Sequence, residues 1–147
     1  LNKTSEVIKK CFEELLLYKI DLKGIILKPN MILAGNKSKI KISKEEVSSK
    51  TLQCLKRSVP SEVPGIAFLS GGQSEIEATE NLNLINKDNN TNFIMTYSYG
   101  RALQQSALKF WSKDIKNIKG TQNVFNQRAK MNTLAAQGKW SSELENK

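Results

Sequence analysis

The sequence has 147 residues, one domain's worth by length. Its 23 Lys and Arg outnumber 14 Asp and Glu, and the net charge of +9 admits nucleic acid, a membrane surface or an anionic small molecule as partner. The lysines are spread out and do not interleave with aromatics, so no nucleic acid partner is expected. No stretch approaches the run of about 20 apolar residues that spans a membrane, so no membrane partner is expected either. Histidine is absent, which excludes histidine-ligated zinc and histidine-based triads from this stretch.

The chain starts at Leu1 inside a helical pattern, without a charged-then-apolar leader, and reads as a piece of a longer polypeptide. Cys11 and Cys54 lack a framework spacing, so both are expected as reduced, partly buried thiols of an intracellular, cytoplasmic protein. The N-x-S/T triplets at Asn2, Asn36 and Asn89 are read as chance matches.

The first helix is predicted over Lys3 to Lys19. Val7, Cys11 and Leu15, with Ile8, Phe12 and Leu16, give it an apolar face. Ile25-Ile26-Leu27, between Gly24 and Pro29, is short, apolar and without alternation, which predicts a strand buried on both faces. Asn30 to Ile42 reads as a loop. Ser43 and Glu46 form a capping box for a helix carrying Val47, Leu52 and Leu55 and stopping before Pro60.

The pattern then repeats. Gly65 to Ser70 is a strand, Gly71-Gly72-Gln73 a turn, and Ser74 with Glu77 a second capping box, opening a helix through Leu82 and Ile85. Phe93 to Ser98 is a third strand. After Gly100 a helix runs from Arg101 through Phe110. The last helix is placed at about Asp114 to Gln137, with Val124, Met131 and Ala135 on one face and Gly138 as its left-handed cap. Strands alternating with helices imply an α/β fold with parallel strands. An open doubly wound sheet and a section of a (β/α)8 barrel both satisfy this order, although three strands cannot close a barrel of eight.

Both architectures place active sites at the C-terminal ends of strands. Lys28 ends an apolar strand there. It is either a nucleophilic amine, freed of its proton by desolvation and neighbouring cations, or a lysine whose stem packs while its ammonium reaches water. Ser70-Gly71-Gly72-Gln73-Ser74 lies between strand and helix, where glycines let the backbone approach an anion and a helix aims free amides at it; it is otherwise a plain turn. Ser98-Tyr99-Gly100-Arg101 repeats that placement with a guanidinium suited to phosphate. Arginine at a helix N-terminus is mildly unfavourable unless an anion lies between. Barrels commonly build a phosphate site from the loops after the seventh and eighth strands, so Lys28 would end the sixth.

Leu27-Lys28-Pro29-Asn30-Met31, Phe68 to Glu75, Asn81-Leu82-Asn83 with Asn86, and Tyr97 to Gln104 together resemble class I fructose-1,6-bisphosphate aldolases, over nearly the whole chain as far as Gly138. The resemblance implies that residues 1–147 are the C-terminal portion of a single (β/α)8 barrel, about its last three strands. It implies a metal-independent, cofactor-free lyase that splits fructose 1,6-bisphosphate into dihydroxyacetone phosphate and glyceraldehyde 3-phosphate. Lys28 would form the Schiff base. Ser70, Gly71, Gly100 and Arg101 would hold the C1 phosphate, with Ser98 lining the same region. A homotetramer is implied for the whole protein. The alternative is a scaffold role toward cytoskeletal or other acidic partners.

The family's acidic residues and second lysine for proton transfer come from its first five strands, which this chain lacks, and the family's longer C-terminal tail ending in tyrosine is also missing. The piece alone is therefore expected to have little or no turnover, and its first strand to leave an open edge. Gly120, near the start of the last helix, is a further oddity, costing roughly 1 kcal/mol against alanine.

Overall fold

The computed structural model describes residues 1–35 and 37–146; the triplet at Asn36 lies outside the described residues. Helix α1 (Asn2–Leu17) leads through a short 3-10 turn at Leu22–Gly24 into strand β1 (Ile26–Leu27). Then follow α2 (Lys44–Ser58), β2 (Gly65–Phe68), α3 (Glu75–Lys87), β3 (Ile94–Tyr97), α4 (Arg101–Trp111), α5 (Ile118–Ala136) and a final 3-10 stretch, Ser142–Asn146. The strands form one parallel sheet in the order β1-β2-β3. The expected alternation of strands and helices is the observed one.

Local chemistry explains most element boundaries. Both capping boxes form: Ser43 accepts from the Glu46 amide and Ser74 from the Glu77 amide, and each glutamate reaches back to its serine's amide. Gly138 takes φ +67°, its N–H donating to Ala135 O and that of Lys139 to Leu134 O, which completes a Schellman end. The last helix begins at Ile118, later than the sequence pattern suggests, because Asn117 caps it by accepting from the Gly120 amide.

That cap also accounts for Gly120. A Cβ there would lie 2.6 Å from Asn117 Oδ1 and 2.7 Å from Phe110 Cε1. Gly120→Ala therefore sets a helix-propensity gain of about 1 kcal/mol against a cap of about the same size. The expected result is no rise in the thermal midpoint; a rise of several degrees would mean that cap and ring move aside freely.

The sheet has two unlike faces. Leu27, Ile66 and Met95 stand level across the strands, as do Phe68 and Tyr97 one register further. This side packs on the helices: Ile66, Phe68 and Met95 are buried with Ala78, Leu82 and Ile85 of α3 and Met131 and Ala135 of α5. The opposite row, Ile26, Gly65 and Ile94, is open, with Ile26 68% and Ile94 75% exposed. The expectation that Ile25-Ile26-Leu27 is buried on both faces is thus corrected. Three strands do not close on themselves, and the side a barrel turns inward has no covering layer among the described residues.

Helix α1 departs from its expected face in the same way. Ile8 and Phe12 are buried, while Val7 and Leu16 are exposed. The thiols differ too: Cys54 is buried, with Ser5 Oγ 3.2 Å away, but Cys11 is exposed rather than partly buried.

Candidate active site

The C-terminal ends of the three strands lie side by side. Leu69 N donates to Pro29 O at 3.0 Å and Ser98 N to Phe68 O at 2.8 Å, carrying the parallel pairing past the formal strand ends. The register runs from Leu27↔Ile66 to Asn30↔Leu69, which sets Lys28 level with Ala67 and, on β3, Thr96. Lys28 therefore belongs to the open face, two residues beyond Ile26 on the same side. It is exposed, and none of the ion pairs among the described residues engages it. The environment that would desolvate its amine is not built by these residues.

After β2 the chain turns sharply. Gly71 and Gly72 take φ +60° and +86°, left-handed values that side chains other than glycine rarely adopt. Ser70 is buried, and its carbonyl accepts from the Gln73 amide at 3.2 Å and from Gln73 Nε2 at 2.7 Å. The N–H groups of Gly71 and Gly72 and the Ser70 hydroxyl have no partner among the described residues. A groove of about 560 Å³ lies beside this turn, lined by Leu33, Ile42, Lys44 and Glu80, but Lys28, Ser70, Ser98, Gly100 and Arg101 are not part of it.

The two helix N-termini near the site differ. That of α3 holds Glu75 and Glu77 in its first turn, and its capping box is closed by the Glu77 carboxylate. Serine hydroxyl and amide hold that carboxyl below its ordinary value. The expectation that α3 offers free amides to an anion is corrected: its end already carries negative charge, and the free donors are the glycine amides before it. The N-terminus of α4 has neither acidic residue nor side-chain cap. Its first amides, at Arg101 and Ala102, have no intrahelical carbonyl to bond. Gly100, Arg101 and Ser98 are all exposed beside it.

Tyr99 anchors this second turn. Its ring is buried beside Tyr97, centroids 5.3 Å apart, and its hydroxyl donates to Ala78 O at 2.9 Å. Burial, with a smaller contribution from Tyr97, pushes the phenol well above its usual range, so it serves as a fixed donor.

Sequence reasoning missed two groups here. Gln73 and Asn81 form a hydrogen-bonded pair beneath the Gly71 turn, at 2.7 Å. Arg128 and Glu145 form an ion pair, only 10% and 15% exposed, that ties the end of the chain to α3 and α5. The first pair had a partial signal, since Gln73 directly precedes the Ser74 capping box and Asn81 lies on the helix that box opens. The second, separated by 17 residues, had none.

Side by side, then, stand an exposed lysine, a two-glycine turn with free amides, and an uncapped helix end bearing an arginine. Known proteins similar to this chain include fructose-bisphosphate aldolases. The family of glycolytic class I fructose-bisphosphate aldolases matches residues 2–147. A non-muscle fructose-bisphosphate aldolase of Lethenteron camtschaticum is 47% identical over 93% of this chain and 38% of its own length. A chloroplastic one from Oryza sativa subsp. japonica is 43% identical over 99% of this chain and 38% of its own. Among solved structures, the fructose-bisphosphate aldolase of Plasmodium falciparum, crystallised with TRAP and a small-molecule inhibitor, superposes with a TM-score of 0.90 at 42% identity, covering 95% of this chain and 40% of that one. The chain spans about two fifths of the length of these relatives. With its family model matched almost end to end and its fold the same, it belongs to the class I fructose-bisphosphate aldolases.

Proposed function

We propose that residues 1–147 are the C-terminal portion of one (β/α)8 barrel, and that the protein carrying them cleaves fructose 1,6-bisphosphate reversibly through a Schiff base on Lys28. The observation that carries this reading is the position of Lys28. It stands on the open sheet face at the end of β1, beside the glycine-bearing turns of β2 and β3. At about 3.3 Å per residue, Ser70, where the turn begins, lies roughly 10 Å beyond the row of Lys28. That spacing suits a substrate whose ketone meets the amine while its phosphate meets the turns.

The steps follow from the groups. The Lys28 amine adds to the C2 ketone, and water leaves to give an iminium. As the C4 hydroxyl loses its proton, the C3–C4 bond breaks and its electron pair moves into the iminium, leaving an enamine and releasing the aldehyde product. Protonation at C3 and hydrolysis free dihydroxyacetone phosphate and the amine. The Gly71 amide, the Ser70 hydroxyl, the first amides of α4 and the Arg101 guanidinium hold the C1 phosphate, with Ser98 beside them. No acid stands at a described strand end, so the group that takes the C4 proton comes from elsewhere in the barrel.

Borohydride reduction in the presence of dihydroxyacetone phosphate tests the reading, because hydride turns the imine into a stable secondary amine. Mass mapping is expected to place the adduct on Lys28. An adduct on another lysine would remove Lys28 from the mechanism.

A binding role is the second reading. It is supported by the net charge of +9 and by the Plasmodium falciparum neighbour, whose structure contains TRAP. An acidic peptide displaced by fructose 1,6-bisphosphate would share the phosphate site; one that stays bound would use a separate surface. A homotetramer and a cytoplasmic location complete the proposal, the latter with the qualification that the Oryza sativa relative is chloroplastic.

A further inference from the structure

We infer that Gln73, oriented by Asn81, is a positioning residue: it aims the Gly71 amide at the substrate phosphate and ties that turn to the loop behind Lys28. This rests on the phosphate grip proposed above for Ser70 and Gly71.

A backbone carbonyl can only accept. Ser70 O receives Gln73 Nε2 at 2.7 Å, so the amide face of that side chain is decided. Its Oε1 must then point the other way, where Asn81 Nδ2 donates at 2.7 Å. Asn81 is buried on α3 and its Oδ1 has no partner among the described residues, so its one side-chain hydrogen bond is the one it donates to Gln73. Gln73 Nε2 also lies 3.6 Å from Met31 Sδ, in the fully buried part of the loop that follows Lys28. One side-chain amide thus touches the two loops that would hold ketone and phosphate.

The consequence is directional. In a planar trans peptide the carbonyl of one residue and the N–H of the next point opposite ways. With the Ser70 carbonyl drawn under the turn toward Gln73, the Gly71 N–H is turned outward, where it has no partner among the described residues. Glycine at 71 and 72 leaves the turn free to flip this peptide, which would bury the N–H and present a carbonyl to the phosphate. Gln73 opposes that flip. Its own contribution to binding is indirect, since the donor it aims is a backbone amide.

The test uses the whole polypeptide, with borohydride trapping of two ketones, dihydroxyacetone phosphate and unphosphorylated dihydroxyacetone. Gln73→Met removes both hydrogen bonds at similar volume. Trapping of the phosphorylated ketone at low concentration is expected to fall roughly tenfold, the scale of one lost directional contact. KM for fructose 1,6-bisphosphate should rise by a similar factor at nearly unchanged kcat, and trapping of the unphosphorylated ketone should stay as it was. Asn81→Leu, which removes the donor to Gln73 without adding charge, should show the same selectivity at smaller size. It decides the matter if Gln73→Met does not fold. Equal losses for both ketones, or no loss for either, overturn the positioning role. A wild-type protein that traps the two ketones equally well would instead remove the phosphate grip itself.

Discussion

Lys28→Met in the whole polypeptide is expected to abolish both borohydride trapping and turnover while leaving stability intact. Methionine nearly matches the lysine stem in length but has no nucleophile. Removing the group that forms a covalent intermediate costs about five to six orders of magnitude in kcat where this has been dissected in other enzymes. Stability is expected to stay within about 0.5 kcal/mol, because methionine keeps the apolar stem and Lys28 makes no ion pair among the described residues for the change to break. Lys28→Arg separates charge from nucleophilicity: the guanidinium keeps the cation and much of the stem but stays protonated and forms no imine. It should be as inactive as methionine. Phosphate affinity should survive both changes, since the proposed grip comes from the turns after β2 and β3. A Lys28→Met protein that retains turnover within tenfold of wild type would mean that another amine carries the reaction.

Much of the arrangement was legible because it is written in short-range patterns. A capping box needs a serine and a glutamate three residues apart, and Ser43–Glu46 and Ser74–Glu77 both form as read. Gly138 ends α5 because one residue type suits that conformation. The three apolar strands were visible as short runs bounded by turn residues, Gly24 and Pro29 around the first. What periodicity could not show was which face of β1 is covered, because burial depends on what packs against the strand. Ile26 and Leu27 look equivalent in sequence, yet Ile26 is 68% exposed and Leu27 packs against the core.

The candidate site shows the same division. Strand-end position and glycine content singled out Lys28, Ser70, Gly71, Gly100 and Arg101 from sequence, each a local signal. The sign of the field at each helix end was harder. The Ser74 capping box was legible but not its consequence: acidic residues close the N-terminus of α3 to an anion while that of α4 stays open. Gln73 was legible as the last residue of a turn and as part of a family motif, but not as a positioning group. Its weight comes from a partner on α3 and a sulfur on the Lys28 loop, 42 residues away in sequence.

The second large effect concerns Glu145, which holds the end of the described chain. Arg128 on α5 donates to it in a bidentate pair, at 3.0 and 2.6 Å, and Trp140 Nε1 donates to the same carboxylate at 2.8 Å. Arg128 also reaches Thr79 of α3 at 3.1 Å, and the Trp140 amide donates to Asn83 Oδ1. Glu145→Ala therefore leaves a buried guanidinium with Thr79 as its one remaining acceptor among the described residues and strands the indole N–H. Uncompensated buried charge of this kind costs about 3–5 kcal/mol, toward the lower end here because the pair keeps some contact with water. The expected result is a fall of roughly 3 kcal/mol in unfolding free energy for Glu145→Ala in the whole polypeptide, with faster proteolysis after Gly138. Pairing Arg128→Met with Glu145→Leu should recover much of the loss, because the main penalty is the unpaired charge rather than the missing attraction. If Glu145→Ala changes stability by less than about 0.5 kcal/mol, the pair behaves as an exposed one and does not anchor the segment.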